Sequence, residues 1–336
     1  MSREHRREKV RELMDRLGLG AVLLRSPANF AWYTGGADNR VDHSVPSGVA
    51  SVLVTADAEY IVVDNIEAPR MREEETPGFE VVEHPWHGDP TSEVRELAGG
   101  SALGADHQLE GARDVSEEVA PLRYVLDAEA IETYRRAGAG TAAAMGQAVA
   151  SLSPGVTEYE AAANLIAACR RRGLSTPVVL VAADGRIASY RHPIPKGATI
   201  ERRAMLVVCA EEGGLYVSLT RFVEFDEPDR ELKRRQETCE EILRRMREEA
   251  TRPGRYLSDA FEYCKTFYAD AGFSDEWRLH HQGGIAGYAA REVVATPATK
   301  EEIQVGQAFA WNPSITGAKA EESFILTEDG PEVIAG

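Results

Sequence analysis

The sequence is poor in cysteine, has no long apolar run and carries no excess of basic residues. Its four cysteines, Cys169, Cys209, Cys239 and Cys264, all lie in the second half without CxxC spacing. That excludes a disulfide scaffold or a thiolate zinc site and reads as buried free thiols. No apolar stretch approaches the roughly 20 residues that span a bilayer. The opening MSREHRREKVRELMDRLG is too charged for a signal peptide, so a cytoplasmic location is expected. With 38 Lys+Arg against 55 Asp+Glu the formal charge is -17. Such a chain repels phosphate backbones and anionic lipid, so neither nucleic acid nor a membrane is expected as a partner.

What is present suits a folded protein with a sizeable core: 336 residues, 43% hydrophobic and 28% charged, room for two domains. Val10, Leu13, Met14 and Leu17 fall at helical spacing in residues 2–17, closed by Gly18 and Gly20. AVLLRS starts a strand, NFAWYTGG (29–36) leads into a polar loop, and SVLVT and YIVVD are short β-rich runs. A helix near 91–98 and the strand LGADH complete a three-layer α/β pattern, expected as one domain over 1–126.

Asp127 reads as the N-cap of a long helix and opens a second domain, 127–336. Thr157 with Glu160 forms a capping box, and PVVLVAADG reads as a strand and turn. MLVVCAEEGGLYVSLTRFVEF reads as a hairpin turning at Gly213 and Gly214, and helices follow over about 229–250 and 257–271. The fold class is α/β (α+β).

The densest polar grouping lies in 279–327, where LHHQGGIAGYAARE is followed by AWNPSITGAKAEESFILT. Polar groups of these types converge where chemistry happens. Gly283, Gly284 and Gly287 do not lead from a strand into a helix as GxGxxG would, which removes a nucleotide site. In a strand, adjacent residues point to opposite faces, so one of His280 and His281 is expected in the cleft, and His281, beside Gln282, is the choice.

GLYVSLTR (214–221), the Gly-rich HHQGGIAG, WNP (311–313) and KAEES (319–323) before TEDG occur in the order seen in the pita-bread enzymes. The chain resembles that superfamily, which contains methionine aminopeptidase, prolidase, Xaa-Pro aminopeptidase and the metal-free creatinase. The resemblance implies a creatinase-like N-terminal domain, a pita-bread domain and a homodimer in which Tyr33 and Arg40 reach a partner's site. Metal-dependent members hold two divalent ions on two Asp, one His and two Glu. Here Ser218 stands at the second Asp, no acid lies between Val207 and Cys209, and Asn312 stands at the first Glu. Glu321 alone is secure, so no metal or other cofactor is expected.

By the same resemblance His192 in SYRHPIPKG falls at a substrate-binding or acid/base position, and Arg221, Arg291 and Lys319 match family positions. Imidazole takes and returns protons near neutral pH when a carboxylate orients it. The expected catalytic residues are therefore His192, Glu321 and His281, with Arg221, Gln282, Asn312 and Lys319 binding substrate. The function these imply is metal-independent hydrolysis or elimination at a C–N or similar bond in a small amino-acid-like or carboxylate substrate. A metal-dependent Xaa-Pro aminopeptidase and a non-catalytic small-molecule-binding protein are the alternatives.

Overall fold

A computed structural model describes residues 3–336 and divides into two compact units, one ending at Ala130 and the other Ile131–Gly336. The division falls four residues later than the expected 126/127 boundary. The Asp127 carboxylate caps the helix Ala128–Ala150 by accepting from Ala130 N at 2.9 Å, and it also accepts from the Arg6 guanidinium at 2.7 Å. Because Arg6 belongs to the helix Arg3–Leu17, the ion pair ties these residues to the first unit.

The first unit is built on strands β1 (Ala21–Leu24), β2 (Ser51–Thr55), β3 (Glu59–Asp64), β4 (Glu80–His84), β5 (Leu103–Ala105) and β6 (Arg113–Asp114), in the order β4-β3-β2-β1-β5-β6. Pairing is antiparallel at β1–β2 and β2–β3 and parallel elsewhere, so every strand except β2 runs the same way. All four β1 residues are buried, as suits a strand covered on both faces. Val10, Leu13 and Met14 of the first helix are buried, one apolar stripe at helical spacing.

NFAWYT is not loop but part of the helix Pro27–Thr34. Ser26 caps it, Pro27 occupies the first turn and Gly35, at φ 85°, ends it in the left-handed region. Consecutive aromatic residues hide the 3.6-residue period, so the pattern reads as irregular; Phe30, Trp32 and Tyr33 are all buried.

The second unit contains a three-stranded antiparallel sheet of β7 (Ser175–Ala183), β8 (Arg203–Glu212) and β9 (Leu215–Glu224). Gly213 and Gly214, at φ 58° and 80°, form the two-residue turn between β8 and β9. The remaining strands are β10 (Gly283–Ala286), β11 (Val293–Val294), β12 (Ala308–Trp311), β13 (Ser314–Ile315), β14 (Ala318–Lys319), β15 (Glu322–Thr327) and β16 (Gly330–Ala335). Five of them form the antiparallel sheet β11-β10-β12-β15-β16 and β13 pairs with β14. The sheets meet where the Ser323 hydroxyl accepts from Ser218 N at 2.9 Å and donates to Ser218 O at 3.0 Å. Phe309, Trp311 and Phe324 stack in the core, and Trp311 donates its indole N–H to Thr251 at 2.9 Å.

β10 can lie this close to β12 only because it begins with glycine. Gly283 adopts φ 103°, and a Cβ there would sit 2.1 Å from Ala310 O. Gly283→Ala is expected to lower unfolding free energy by roughly 3 kcal/mol, the sum of backbone strain and overpacking. Urea denaturation followed by circular dichroism checks this; a cost under about 1 kcal/mol would show that β10 tolerates a side chain.

Candidate active site

β9 sets the site's floor. Its register places Ser218 opposite Cys209 and Thr220 opposite Val207, and alternation puts Ser218 and Thr220 on one face with Arg221 on the other. Ser218 Oγ lies 3.3 Å from Cys209 Sγ. Glu321, between β14 and β15, is 4% exposed and meets this face. Its Oε2 accepts from Thr220 Oγ1 at 2.6 Å and Lys319 Nζ at 2.9 Å, and its Oε1 accepts from Arg291 Nη2 at 3.1 Å. Arg291 Nη1 donates to Ser218 Oγ at 3.0 Å, so one guanidinium bridges Ser218 and Glu321. Burial raises the Glu321 pKa, but Lys319 and Arg291 outweigh it and hold the carboxyl at about 2. Glu321 is therefore a fixed anion, able to orient its neighbours but not to trade protons near neutral pH.

Three imidazoles converge beside this cluster. His280 Nε2 lies 2.9 Å from His192 Nε2, and the His281 ring centroid is 5.9 Å from that of His192. The expectation that only one of the adjacent histidines faces the cleft is corrected: β10 starts at Gly283, so residues 280 and 281 precede the strand and its alternation does not bind them. His280 therefore belongs to the cluster as well as His281. His280 is buried, with Nδ1 lacking a hydrogen-bond partner among the described residues, while His192 and His281 reach solvent.

Burial lowers the pKa of all three rings, pushing His280 to about 2 and His281 to about 4. Lys319 adds to the effect at His280 and His192, and Arg291 at His281; Glu321 opposes it at each. All three are neutral at pH 7; the depression makes His280 and His281 weak proton acceptors, which leaves His192 as the ring to take a proton.

The other expected contributors are engaged in different ways. The Gln282 amide is consumed internally: it accepts from the Tyr268 hydroxyl at 2.8 Å and donates to His280 O at 2.6 Å and Trp277 O at 3.2 Å. It shapes the histidine loop and has no donor left for substrate. Arg221 lines a cavity of about 500 Å³ with Arg247 and Glu322; Thr220, Lys319 and Glu321 of the cluster line it too, but none of the three histidines does. Lys319 is spent on Glu321. Asn312 is 2% exposed, and its side-chain oxygen has no partner among the described residues. In the first unit, Tyr33 is fully buried and donates to Glu59, so its side chain cannot reach outward; Arg40 is held on the Asp38 carboxylate at 2.8 and 2.9 Å.

The side chains present do not fit a carboxylate-bridged metal pair. Cys209, Ser218 and Asn312 bring no charge, and the one carboxylate is already neutralised by two cations that would repel a divalent ion. The donor atoms of His192, His280 and His281 lie within 4.8 Å of one another, close enough to share a single ion, but they too bring no negative charge. Among the described residues, no helix is long and apolar enough to cross a membrane.

Residues 132–329 match the profile of metallopeptidase family M24, and residues 6–135 match the creatinase/prolidase N-terminal domain. A Xaa-Pro dipeptidase from Pyrococcus furiosus is 21% identical over 349 residues, covering 97% of this chain and 96% of its own. A probable dipeptidase PepE from Mycobacterium tuberculosis is 25% identical over 309 residues, covering 84% and 81%. The solved structure of a Xaa-Pro dipeptidase from Bacillus anthracis superimposes with a TM-score of 0.82 at 20% identity, covering 99% of this chain and 97% of that one.

The buried imidazole has a measurable consequence. His280 takes up a proton near pH 6.5 when unfolded but only near pH 2 when folded. The unfolded state thus binds more protons below pH 6.5, and stability falls with decreasing pH by at most about 1.4 kcal/mol per pH unit for this proton. Urea midpoints between pH 7.5 and 5 should fall in the wild type and fall less steeply in His280→Gln; equal slopes would show that His280 is not the group titrating.

Proposed function

Because the chain belongs to metallopeptidase family M24, we propose that it hydrolyses a C–N bond in a small, peptide-like carboxylate substrate, with the cations Arg291 and Lys319 standing in place of the family's metal pair. The observation that carries this reading is the Arg291 guanidinium bridging Ser218 and Glu321, two positions at which the family resemblance calls for metal ligands. The fold and family support hydrolysis, and the names of the relatives support a peptide-like substrate.

His192 is the proton carrier in this scheme. It is neutral, open to solvent and backed by His280 at 2.9 Å. It takes a proton from water as the water oxygen bonds to the acyl carbon, and it returns that proton to the nitrogen as the C–N bond breaks. Glu321 holds Lys319 and Arg291 in place without titrating. Asn312, buried with an unpartnered oxygen, offers an acceptor to a substrate N–H.

The comparisons favour a second reading, a metal-dependent Xaa-Pro peptidase, since the family is one of metallopeptidases and two of the similar proteins are named Xaa-Pro dipeptidase. One set of measurements separates the two. Metal content by plasma mass spectrometry, and turnover of Xaa-Pro dipeptides and N-acyl amino acids with and without EDTA, is expected to give no stoichiometric metal and EDTA-insensitive turnover. His192→Ala should then lower kcat by roughly 10²- to 10⁴-fold. The wild-type rate should rise with pH to a plateau whose midpoint lies below 6.5, because burial lowers the His192 pKa from that value. Bound metal together with loss of turnover in EDTA would establish the second reading.

A further inference from the structure

The first unit carries a cavity of about 200 Å³ that none of the three clustered histidines lines. It opens where the parallel-running strands end: Arg25 follows β1, Asp64 ends β3, His84 ends β4 and His107 lies just beyond β5. In open α/β sheets the carboxyl ends of the strands are where crevices for small ligands form. The exposed Trp86, 64% accessible, stands at its wall.

The polar groups lining it have unspent capacity of both signs. Arg25 donates Nε to Gly48 O at 2.9 Å, and its two terminal nitrogens have no partner among the described residues. Asp64 uses Oδ1 to accept from Ile66 N and Glu67 N at 2.9 and 3.0 Å, while Oδ2 accepts from nothing described. Arg25 and Asp64 form no ion pair with each other, so opposite charges stand apart on one cavity. The tautomers of the histidines follow from their partners. His84 Nδ1 lies 3.1 Å from Pro85 O and His107 Nδ1 lies 3.3 Å from Asp106 Oδ1, and neither oxygen can donate. Asp106 is an acceptor throughout, taking hydrogen bonds also from Arg25 N, Ser26 and Asn29. Each imidazole therefore carries its proton on Nδ1 and, when uncharged, presents Nε2 as an acceptor.

The cavity thus offers a guanidinium fork for a carboxylate and, in Asp64 Oδ2, a carboxylate oxygen for an ammonium group. Among the described residues only His192, His280 and His281 come close enough to share an ion, so Asp64, His84 and His107 do not converge on one point and the two imidazoles line the cavity as separate acceptors. The volume is below the roughly 300–1,000 Å³ of sites for drug-sized molecules, which excludes nucleotides and larger cofactors.

We propose that this cavity binds a small free α-amino acid, its carboxylate on Arg25 and its ammonium group on Asp64. The site is separate from the histidine cluster of the second unit and independent of the reaction proposed there.

Isothermal titration of the full chain with L-alanine and L-leucine tests this. At least one should bind saturably, and propylamine and propionate, each bearing one of the two charges, should bind about 10-fold more weakly or worse. Asp64→Asn keeps the oxygen that accepts from Ile66 and Glu67 and removes the charge, and Arg25→Gln removes the fork. Each should weaken binding about 10-fold while the melting temperature is retained, and His280→Ala should leave binding unchanged. The proposal is overturned by absence of heat with both amino acids at about 10 mM, by equal binding of propylamine or propionate, or by binding that survives Asp64→Asn and Arg25→Gln but is lost in His280→Ala.

Discussion

A single buried carboxylate organises the second unit. Glu321 is removed from water almost entirely, and an ion so placed must be matched by opposite charge and by hydrogen bonds to each oxygen. Lys319 at the end of β14, Thr220 on β9 and Arg291 beyond β10 supply them. These groups come from three separated parts of the sequence, so the requirement to satisfy one anion fixes how β9, β10 and the β14–β15 link meet. The reciprocal Ser323–Ser218 bonds lock the same register from the backbone side.

The same cluster sets the state of the imidazoles. Two cations against one anion leave a local charge of about +1, and with burial this disfavours a further positive charge on His192, His280 or His281. At neutral pH the three rings are uncharged. An arrangement with more carboxylates would have produced imidazolium ions and the opposite chemistry, so the loss of acids at Ser218 and Asn312 and the neutrality of the histidines are one electrostatic fact.

Much of the fold was legible in sequence because its signals are local. The Gly213–Gly214 turn, the Thr157–Glu160 capping box and the Asp127 cap depend on residues within three or four positions of each other. The helix Pro27–Thr34 escaped because its aromatic residues mask the period that would reveal it. At the site, the resemblance carried by GLYVSLTR, WNP and KAEES singled out Ser218, Asn312 and Glu321, and the first and last of them meet across Arg291. Which way each side chain points was not legible, since that depends on where β10 begins and on the register of β9. Gln282 and Arg221 were assigned to the cleft for their chemistry, yet Tyr268 consumes one and strand alternation turns the other away. His280 was passed over for the converse reason, an alternation assumed in residues that precede the strand.

The positive local charge also constrains the ligand. The chain as a whole carries -17, so a patch with an excess cation is a local inversion of the surrounding field. Such a patch stabilises anions in preference to cations, and an amide substrate bearing a carboxylate enters it at less electrostatic cost than one bearing only an ammonium group. In a metal-dependent relative the divalent ions perform this selection and the chemistry together. In the reaction proposed above, Arg291 and Lys319 are already bound to Glu321 and so orient and stabilise charge, while the imidazole open to solvent, His192 with His280 behind it, serves as the base.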